Sequence, residues 1–247
     1  MPTAVTPPPW GLLGTIAWGA LGMCAWFAVQ FAVIILVIVW RDTAAPGSVD
    51  MQRMAHDGFL LAVVTVTAAP AWVIVSILAA RWRKWRARDY LALVLPRRGE
   101  LAFGAAAMVV LLVASDLFTL LIGREVVPTF MREAYLSAQN AGALVLFFLA
   151  VVVAAPVSEE IAFRGFFFRG LSASWLGVSG AIVATSGAWT AMHVQYDSVT
   201  LAQIFCIGLL LGWIRWASGS TLLTIMLHML ANLVACIQAA VKVALMG

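Results

Sequence analysis

The sequence predicts an all-α fold, a polytopic bundle of transmembrane helices, and two observations carry that prediction. Of the 247 residues, 64% are hydrophobic and only 11% are charged, with a mean hydropathy of +1.00. A soluble domain has about 25% charged residues and turns much of its surface to water. The apolar residues also recur in runs of about 20, the length that crosses a hydrocarbon core. Because lipid tolerates no unpaired backbone and no β alternation is visible, these runs are predicted to be helices.

Seven apolar segments can be delimited along the chain. No soluble domain, internal repeat or low-complexity tract separates them, so residues 1–247 are interpreted as a single transmembrane helical domain. The segments are approximately Gly11–Val39, Gly58–Ala80, Leu101–Ile122, Ala141–Phe168, Leu176–His193, Thr200–Ala217 and Thr221–Leu245.

The basic residues between the segments predict how the bundle is oriented. The loops after segments two, four and six hold ten of the fifteen Lys and Arg residues. Because cytoplasmic loops of membrane proteins carry an excess of Lys and Arg, we expect the N-terminus and the Arg81–Arg98 loop to be cytoplasmic. The net charge of +4 is explained by these loops and does not indicate nucleic-acid binding. The short loops and Ala-rich composition favour a bacterial inner membrane protein.

Two adjacent glutamates stand inside an apolar and aromatic stretch, SEEIAFRGFFFRG, which begins at Ser158. Arg164 follows Glu160 by four residues, so in a helix the two share a face and can form an ion pair. Glu159 points about 100° away from Glu160, because a helix has 3.6 residues per turn. Since carboxylates in apolar surroundings are costly, we expect Arg164 to neutralise Glu160 and Glu159 to be left free for chemistry.

Two histidines lie further along, each with a companion at helical spacing. WTAMH places Trp189 and His193 on one helix face, and HMLAN does the same for His228 and Asn232. Singly, such residues are commonly hydrogen-bonded between packed helices. Together they concentrate the polar groups in the last half of the chain, which favours a shared water-accessible cavity over separate packing roles. Asp116 is the exception upstream, and without a partner motif it is interpreted as a helix-pairing residue.

These motifs, in this order and spacing, resemble those of the CPBP family. That family comprises the type II CAAX prenyl proteases and the bacteriocin-processing enzymes, and it is also called the Abi family. The resemblance covers roughly Ala141 to the C-terminus, so residues 141–247 are interpreted as a CPBP-like catalytic core. The motifs that carry it are Glu159-Glu160-x-x-x-Arg164, Trp189-x-x-x-His193 and His228-x-x-x-Asn232.

The resemblance implies an intramembrane endopeptidase, a hydrolase that cleaves peptide bonds. In the family, the residues that match Glu159 and His193 activate water. Those that match His228 and Asn232 stabilise the oxyanion. Peptide hydrolysis independently needs a base for water and donors aimed at the developing negative charge, which these residue types supply.

Three further residues are implied as parts of the site. Glu160 belongs with the catalytic residues, and Arg164 and Trp189 support them. Trp189 departs from the family, which usually has Phe at this position, but keeps an aromatic wall. The family often has eight spans, so eight is the alternative to the seven counted here, with the active site among the last four.

Metal dependence is left open by the residues. Glu159, His193 and His228 would match a catalytic zinc set with one open position. However, no HExxH motif is present, and the family has been described both as metal-dependent and as glutamate-based. We favour a glutamate-activated water without a permanent metal, with zinc as the alternative cofactor.

Two other functions are weighed against the protease. A non-catalytic adaptor or bacteriocin-immunity protein of the same fold has no need for buried acids and histidines. A proton-coupled transporter predicts polar groups through both leaflets and repeated half-structures, neither of which the sequence shows. The expected partners are the lipid bilayer and a membrane-associated peptide or protein substrate. Whether that substrate is prenylated, and the oligomeric state, lie beyond the sequence.

Overall fold

The computed structural model describes residues 8–47 and 50–246, and these ranges contain helices and no β-strand. A short 3₁₀ turn spans Ala191–His193. The helices are α1 (Leu12–Ala44), α2 (Met51–Met54), α3 (Gly58–Trp82), α4 (Ala87–Tyr90), α5 (Arg98–Leu121), α6 (Thr129–Asn140), α7 (Leu144–Ser172), α8 (Gly177–Thr190), α9 (Ser198–Ser218) and α10 (Thr221–Ala244).

Six helices of the described ranges are long and apolar enough to cross a membrane, namely α1, α3, α5, α7, α9 and α10. The predicted polytopic helix bundle is confirmed, and the chain is an integral membrane protein. The count differs from the seven predicted spans because the segment Leu176–His193 forms a shorter element. Its α-helix, α8, has 14 residues and begins at Gly177, which has a φ of +62°.

Contacts of the residues before α1 identify one end of the bundle. Pro8 and Pro9 accept hydrogen bonds from Arg83, and the Trp10 indole donates to the Ala79 carbonyl at 2.9 Å. The start of α1 therefore lies at the same end as the basic loop. Residues 1–7, on which the prediction of a cytoplasmic N-terminus falls, lie outside the described residues.

Small residues set the spacing of the bundle around α3. Buried alanines recur along this helix, at positions 62, 68, 69, 79 and 80. Their small side chains let neighbouring backbones approach closely, which is how helices gain packing energy where lipid is as apolar as the protein. The Trp72 side chain, 1% exposed, fills the gap that Gly22 leaves in α1.

The central helix α7 is irregular on both sides of the two glutamates. Leu149–Ala154 and Ile161–Phe167 are π-helical, and Ala155–Glu160 between them is α-helical. Pro156 accounts for the first irregularity, because it has no N–H to donate to the preceding turn. π-Helical turns are frequent at functional sites.

The amphipathic helix α6 covers the end of the bundle opposite the basic loop. Ala134, Tyr135 and Ala138 form its buried face, and they pack against the first turn of α3. Gly58 makes this approach possible, because a Cβ there would collide with the Ala134 carbonyl and with Ala138.

We predict that Gly58→Ala lowers the free energy of unfolding by about 1–3 kcal/mol, the usual cost of overpacking a close contact. Thermal unfolding of the full chain in detergent measures the effect. Gly99→Ala is the matched control, since a Cβ at this α5 position meets nothing within 4 Å. Equal melting of the two variants would show that α6 does not need this contact.

Candidate active site

A cavity of about 290 Å³ lies within the bundle, and five of the predicted site residues line it: Glu159, Trp189, His193, His228 and Asn232. The structure thus brings together residues from α7, α8, α10 and the turn after α8. Glu160 and Arg164 lie behind the wall and do not line it. The cavity also takes side chains from outside the predicted core, namely Leu61, Thr65, Leu112, Pro128, Phe130, Met131 and Ala134.

The Trp189 side chain contacts four other predicted site residues. Its indole N–H donates to Glu159 Oε2 at 2.5 Å. The rings of His193 and His228 both stand edge-on to it, each with a centroid distance of 5.1 Å. The Arg164 guanidinium lies 4.9 Å from the centroid of its ring, within cation–π range. Trp189 therefore fixes one Glu159 oxygen and leaves the other, Oε1, without a hydrogen-bond partner among the described residues.

Glu160 and Arg164 form the predicted ion pair, which the structure confirms. Arg164 Nη1 lies 2.8 Å from Glu160 Oε1, and both side chains are fully buried. Arg164 Nη2 also donates to the Gly208 carbonyl of α9 at 3.0 Å. The guanidinium thus neutralises the carboxylate and at the same time ties α7 to α9.

The same Glu160 oxygen also holds His228. His228 Nδ1 lies 3.1 Å from Glu160 Oε1, and a carboxylate oxygen can only accept. Nδ1 therefore carries the hydrogen, and Nε2 is the ring nitrogen left for the cavity. Glu160, which the motif resemblance groups with the catalytic residues, reaches the cavity only through this imidazole.

His193 is oriented by a backbone carbonyl. Its Nδ1 lies 2.9 Å from the Trp189 carbonyl oxygen, an acceptor, so Nδ1 again carries the hydrogen and Nε2 is free. Because α8 is short, His193 lines the same cavity as Glu159, although it ends the predicted segment. The chain turns back at this point, and Gln195, Tyr196 and Thr200 after the turn line the same cavity.

Asn232 is anchored by the irregularity of α7. Its Nδ2 donates to the Val151 carbonyl at 2.8 Å. In a π-helical turn that carbonyl would accept from the residue five positions on, which is Pro156 and has no N–H. The amide therefore satisfies an orphaned carbonyl with one N–H and has a second N–H to offer the cavity.

Tyr196 belongs to the site but was missed from the sequence. Its ring stacks with that of His193 at a centroid distance of 6.4 Å, and it lines the cavity. Burial, with smaller effects of Cys236 and Glu159, raises the pKa of Tyr196 to about 12. The phenol stays protonated and is a hydrogen-bond donor at neutral pH. Its spacing from His193 matched no motif that would have signalled it.

Among the described residues, the predicted zinc ligands do not form a metal-binding group, and Asp116 does not join the site. Within the described residues, no three His, Cys, Asp or Glu side chains are grouped to hold a metal ion. Glu159, His193 and His228 therefore do not form a zinc-binding group as they stand. Asp116 lies apart from the site and accepts a hydrogen bond from Gln238 of α10 at 2.7 Å, consistent with the predicted pairing role.

Fold and site together define a polytopic helical membrane protein with a carboxylate–histidine centre enclosed by its helices. Residues 141–234 match the model of the family described as type II CAAX prenyl endopeptidase Rce1-like. The match confirms the motif resemblance and includes every predicted site residue.

A curated relative has also been found. An uncharacterized 24.3 kDa protein of Escherichia coli is 36% identical over 92 residues, which are 36% of this chain and 42% of that protein. The chain thus spans less than half the length of this relative. No solved structure matches.

We predict that Arg164→Met lowers the free energy of unfolding by about 3–5 kcal/mol, because it leaves Glu160 buried without a partner charge. Folded yield and melting temperature of the full chain in detergent provide the measurement. Arg53→Met is the control, since the Arg53–Asp50 pair is exposed and such pairs contribute little. The double variant Glu160→Gln/Arg164→Met should be less damaged than Arg164→Met alone. A single variant that melts with the parent would mean that the pair has no structural role.

Proposed function

We propose that this protein is an intramembrane endopeptidase that hydrolyses a peptide bond in or near the membrane. The family supports a membrane endopeptidase, and one observation carries the finer proposal. Glu159 has one oxygen fixed by Trp189 and one free, in a cavity that two histidines also line, each with Nδ1 hydrogen-bonded and Nε2 left available. These are the groups that the activation of a water molecule needs.

In the proposed reaction, Glu159 Oε1 and His193 Nε2 bind the attacking water. Oε1 removes a proton as the water oxygen bonds to the scissile carbonyl carbon, and the carbonyl oxygen becomes an oxyanion. When the C–N bond breaks, the same proton passes from Glu159 to the leaving amine. The products are a carboxylic acid and an amine, which exchange a proton to become a carboxylate and an ammonium group, and Glu159 returns to its starting state.

The oxyanion would be stabilised by His228 and the second N–H of Asn232, with the Tyr196 hydroxyl as a further donor. Because His228 already directs Nδ1–H at Glu160, it can donate from Nε2 only when both ring nitrogens are protonated. Glu160 then faces a positive ring as well as Arg164. In this proposal Glu160 is a positioning residue, since it acts through His228.

The expected substrate is a peptide or protein segment held at the membrane. The cavity wall includes α6 and the turn after α8, at the end of the bundle opposite the Arg81–Arg98 loop. We propose an inner membrane protein of bacteria with that loop in the cytoplasm, so the cavity would lie toward the outer leaflet. Residues 141–247 supply the reacting groups, while α3, α5 and α6 complete the walls.

We predict that Glu159→Gln lowers the rate of peptide hydrolysis by a factor of about 10²–10⁴ while the melting temperature is unchanged, because the amide cannot take the proton from water. The measurement is cleavage of a panel of fluorogenic membrane peptides by the purified full chain in detergent. Glu133→Gln, an exposed carboxylate of α6, is the control. A Glu159→Gln protein as active as the parent would favour the adaptor interpretation.

The same assay tests the metal question. The parent is treated with a strong chelator, and zinc is then restored. We expect no loss of activity on chelation if Glu159 alone activates water. Loss on chelation with recovery on addition of zinc would instead show a metal-dependent reaction at the same residues.

We predict that Trp189→Phe lowers kcat about 10- to 100-fold with KM unchanged, since a hydrogen bond to a charged group contributes about 1.5–3 kcal/mol and Phe keeps the aromatic wall. Trp72→Phe is the matched control, because the Trp72 Nε1 is buried without a hydrogen-bond partner among the described residues. A raised KM with unchanged kcat would show that Trp189 only shapes the cavity.

A further inference from the structure

Another pocket lies at the other end of the bundle, where α7 and α9 end. Its volume is about 280 Å³, and Pro9, Phe168, Arg169, Ser172, Ala173 and Arg215 line it. We call it the Arg169–Arg215 pocket. No step of the proposed hydrolysis uses it.

Arg215 is buried in the wall of this pocket with most of its donors unused. The residue is 6% exposed. Its Nε donates to the Arg164 carbonyl at 2.9 Å, and the guanidinium lies 5.3 Å from the ring centroid of Phe168. Its two Nη groups make no hydrogen bond to the described residues. A guanidinium in such surroundings is costly unless an anion compensates it.

Arg169 adds a second positive charge to the same pocket. Its Nη2 donates to the Asp89 carbonyl at 2.9 Å, whereas its Nε is buried without a partner among the described residues. Arg169 also lies over the rings of Trp85 and Tyr90. Two guanidinium groups therefore converge on one pocket with unused N–H donors.

No carboxylate of the described residues neutralises Arg215, whereas Arg169 interacts electrostatically with Asp89. All eleven Asp and Glu residues lie within 8–47 and 50–246. None of them forms an ion pair with Arg169 or Arg215. A bound anion would supply the negative charge that Arg215 has no other source for. Arginine forks match the oxygens of a phosphate group closely.

The setting of the pocket identifies the source of that phosphate. Trp82, Trp175 and Trp216 lie at the same helix ends, and 74%, 83% and 54% of their surface is exposed. Exposed tryptophans mark the headgroup level of a membrane. We propose that the Arg169–Arg215 pocket binds the phosphate group of an anionic phospholipid.

Binding there would act on the catalytic helix. Arg215 Nε already holds the Arg164 carbonyl, and Arg164 is the residue that neutralises Glu160. A phosphate on the Nη groups fixes the Arg215 side chain and so stabilises α7 at its second π-helical turn. The lipid is thus expected to raise the stability of the protein without entering the cavity.

Native mass spectrometry of the full chain in neutral detergent tests the proposal. The probes are phosphatidylglycerol, phosphatidylcholine and inorganic phosphate, and melting temperature is the second readout. We expect phosphatidylglycerol to bind at least about tenfold more tightly than phosphatidylcholine, and inorganic phosphate not to displace it. Arg169→Gln should weaken binding by on the order of tenfold, the effect of one charge-assisted hydrogen bond.

A variant that adds a negative charge tests the pocket without removing the buried Arg215 side chain. Ala173→Glu places a carboxylate in the pocket, so it should raise the lipid-free melting temperature and weaken lipid binding about tenfold. Arg98→Gln, which removes an exposed charge on α5, should bind lipid like the parent. Equal binding of the two lipids, or parent-like binding by Arg169→Gln and Ala173→Glu, would overturn the proposal. Displacement by inorganic phosphate would identify free phosphate as the occupant and reject the lipid.

Discussion

The Glu160 carboxylate is fully buried, and a single oxygen of it receives both Arg164 and His228. Removing a charge from water is costly, so the surrounding helices must supply the partners that solvent cannot. Arg164 comes from the next turn of α7 and reaches on to the Gly208 carbonyl of α9, while His228 comes from α10. One buried charge therefore fixes three helices relative to each other. The cavity is the space that this arrangement leaves beside them.

The irregular stretches of α7 provide the remaining anchors. Each π-helical stretch offers a backbone carbonyl to a side chain from another helix. Val151 receives Asn232 from α10, and Arg164 receives Arg215 from α9. A regular helix would use these carbonyls internally. Local departures from α-helical geometry thus do two things here, since they orient a candidate oxyanion donor and bring a buried arginine to the opposite end of the helix.

Spacing along one helix was enough to predict part of the site. The four-residue interval predicted the Glu160–Arg164 pair, and the polar residues among apolar ones pointed to the shared cavity. The contact between His228 and Glu160 spans 68 positions along the chain, and no periodicity within either helix contains it. The number of candidate spans differs from the prediction at Leu176–His193, because hydropathy does not show that the α-helix begins only at Gly177 and gives way to a 3₁₀ turn after Thr190. Hydropathy also does not show which helices pack together, so the sequence did not predict that α3, α5 and α6 contribute to the cavity wall.

Arg164 stands between the two pockets, and its contacts connect the residues of one with those of the other. Nη1 neutralises Glu160, Nη2 holds α9, the guanidinium lies against Trp189, and the backbone carbonyl receives Arg215. Groups joined in one hydrogen-bonded network couple energetically, so a change at one end alters the stability of the other. A ligand that orders Arg215 would therefore stabilise the arrangement that places Trp189 on Glu159. Among the described residues, Glu159 is hydrogen-bonded to this network only through Trp189, so the coupling would reach the reacting carboxylate by way of the indole N–H as well as through the charge of Arg164.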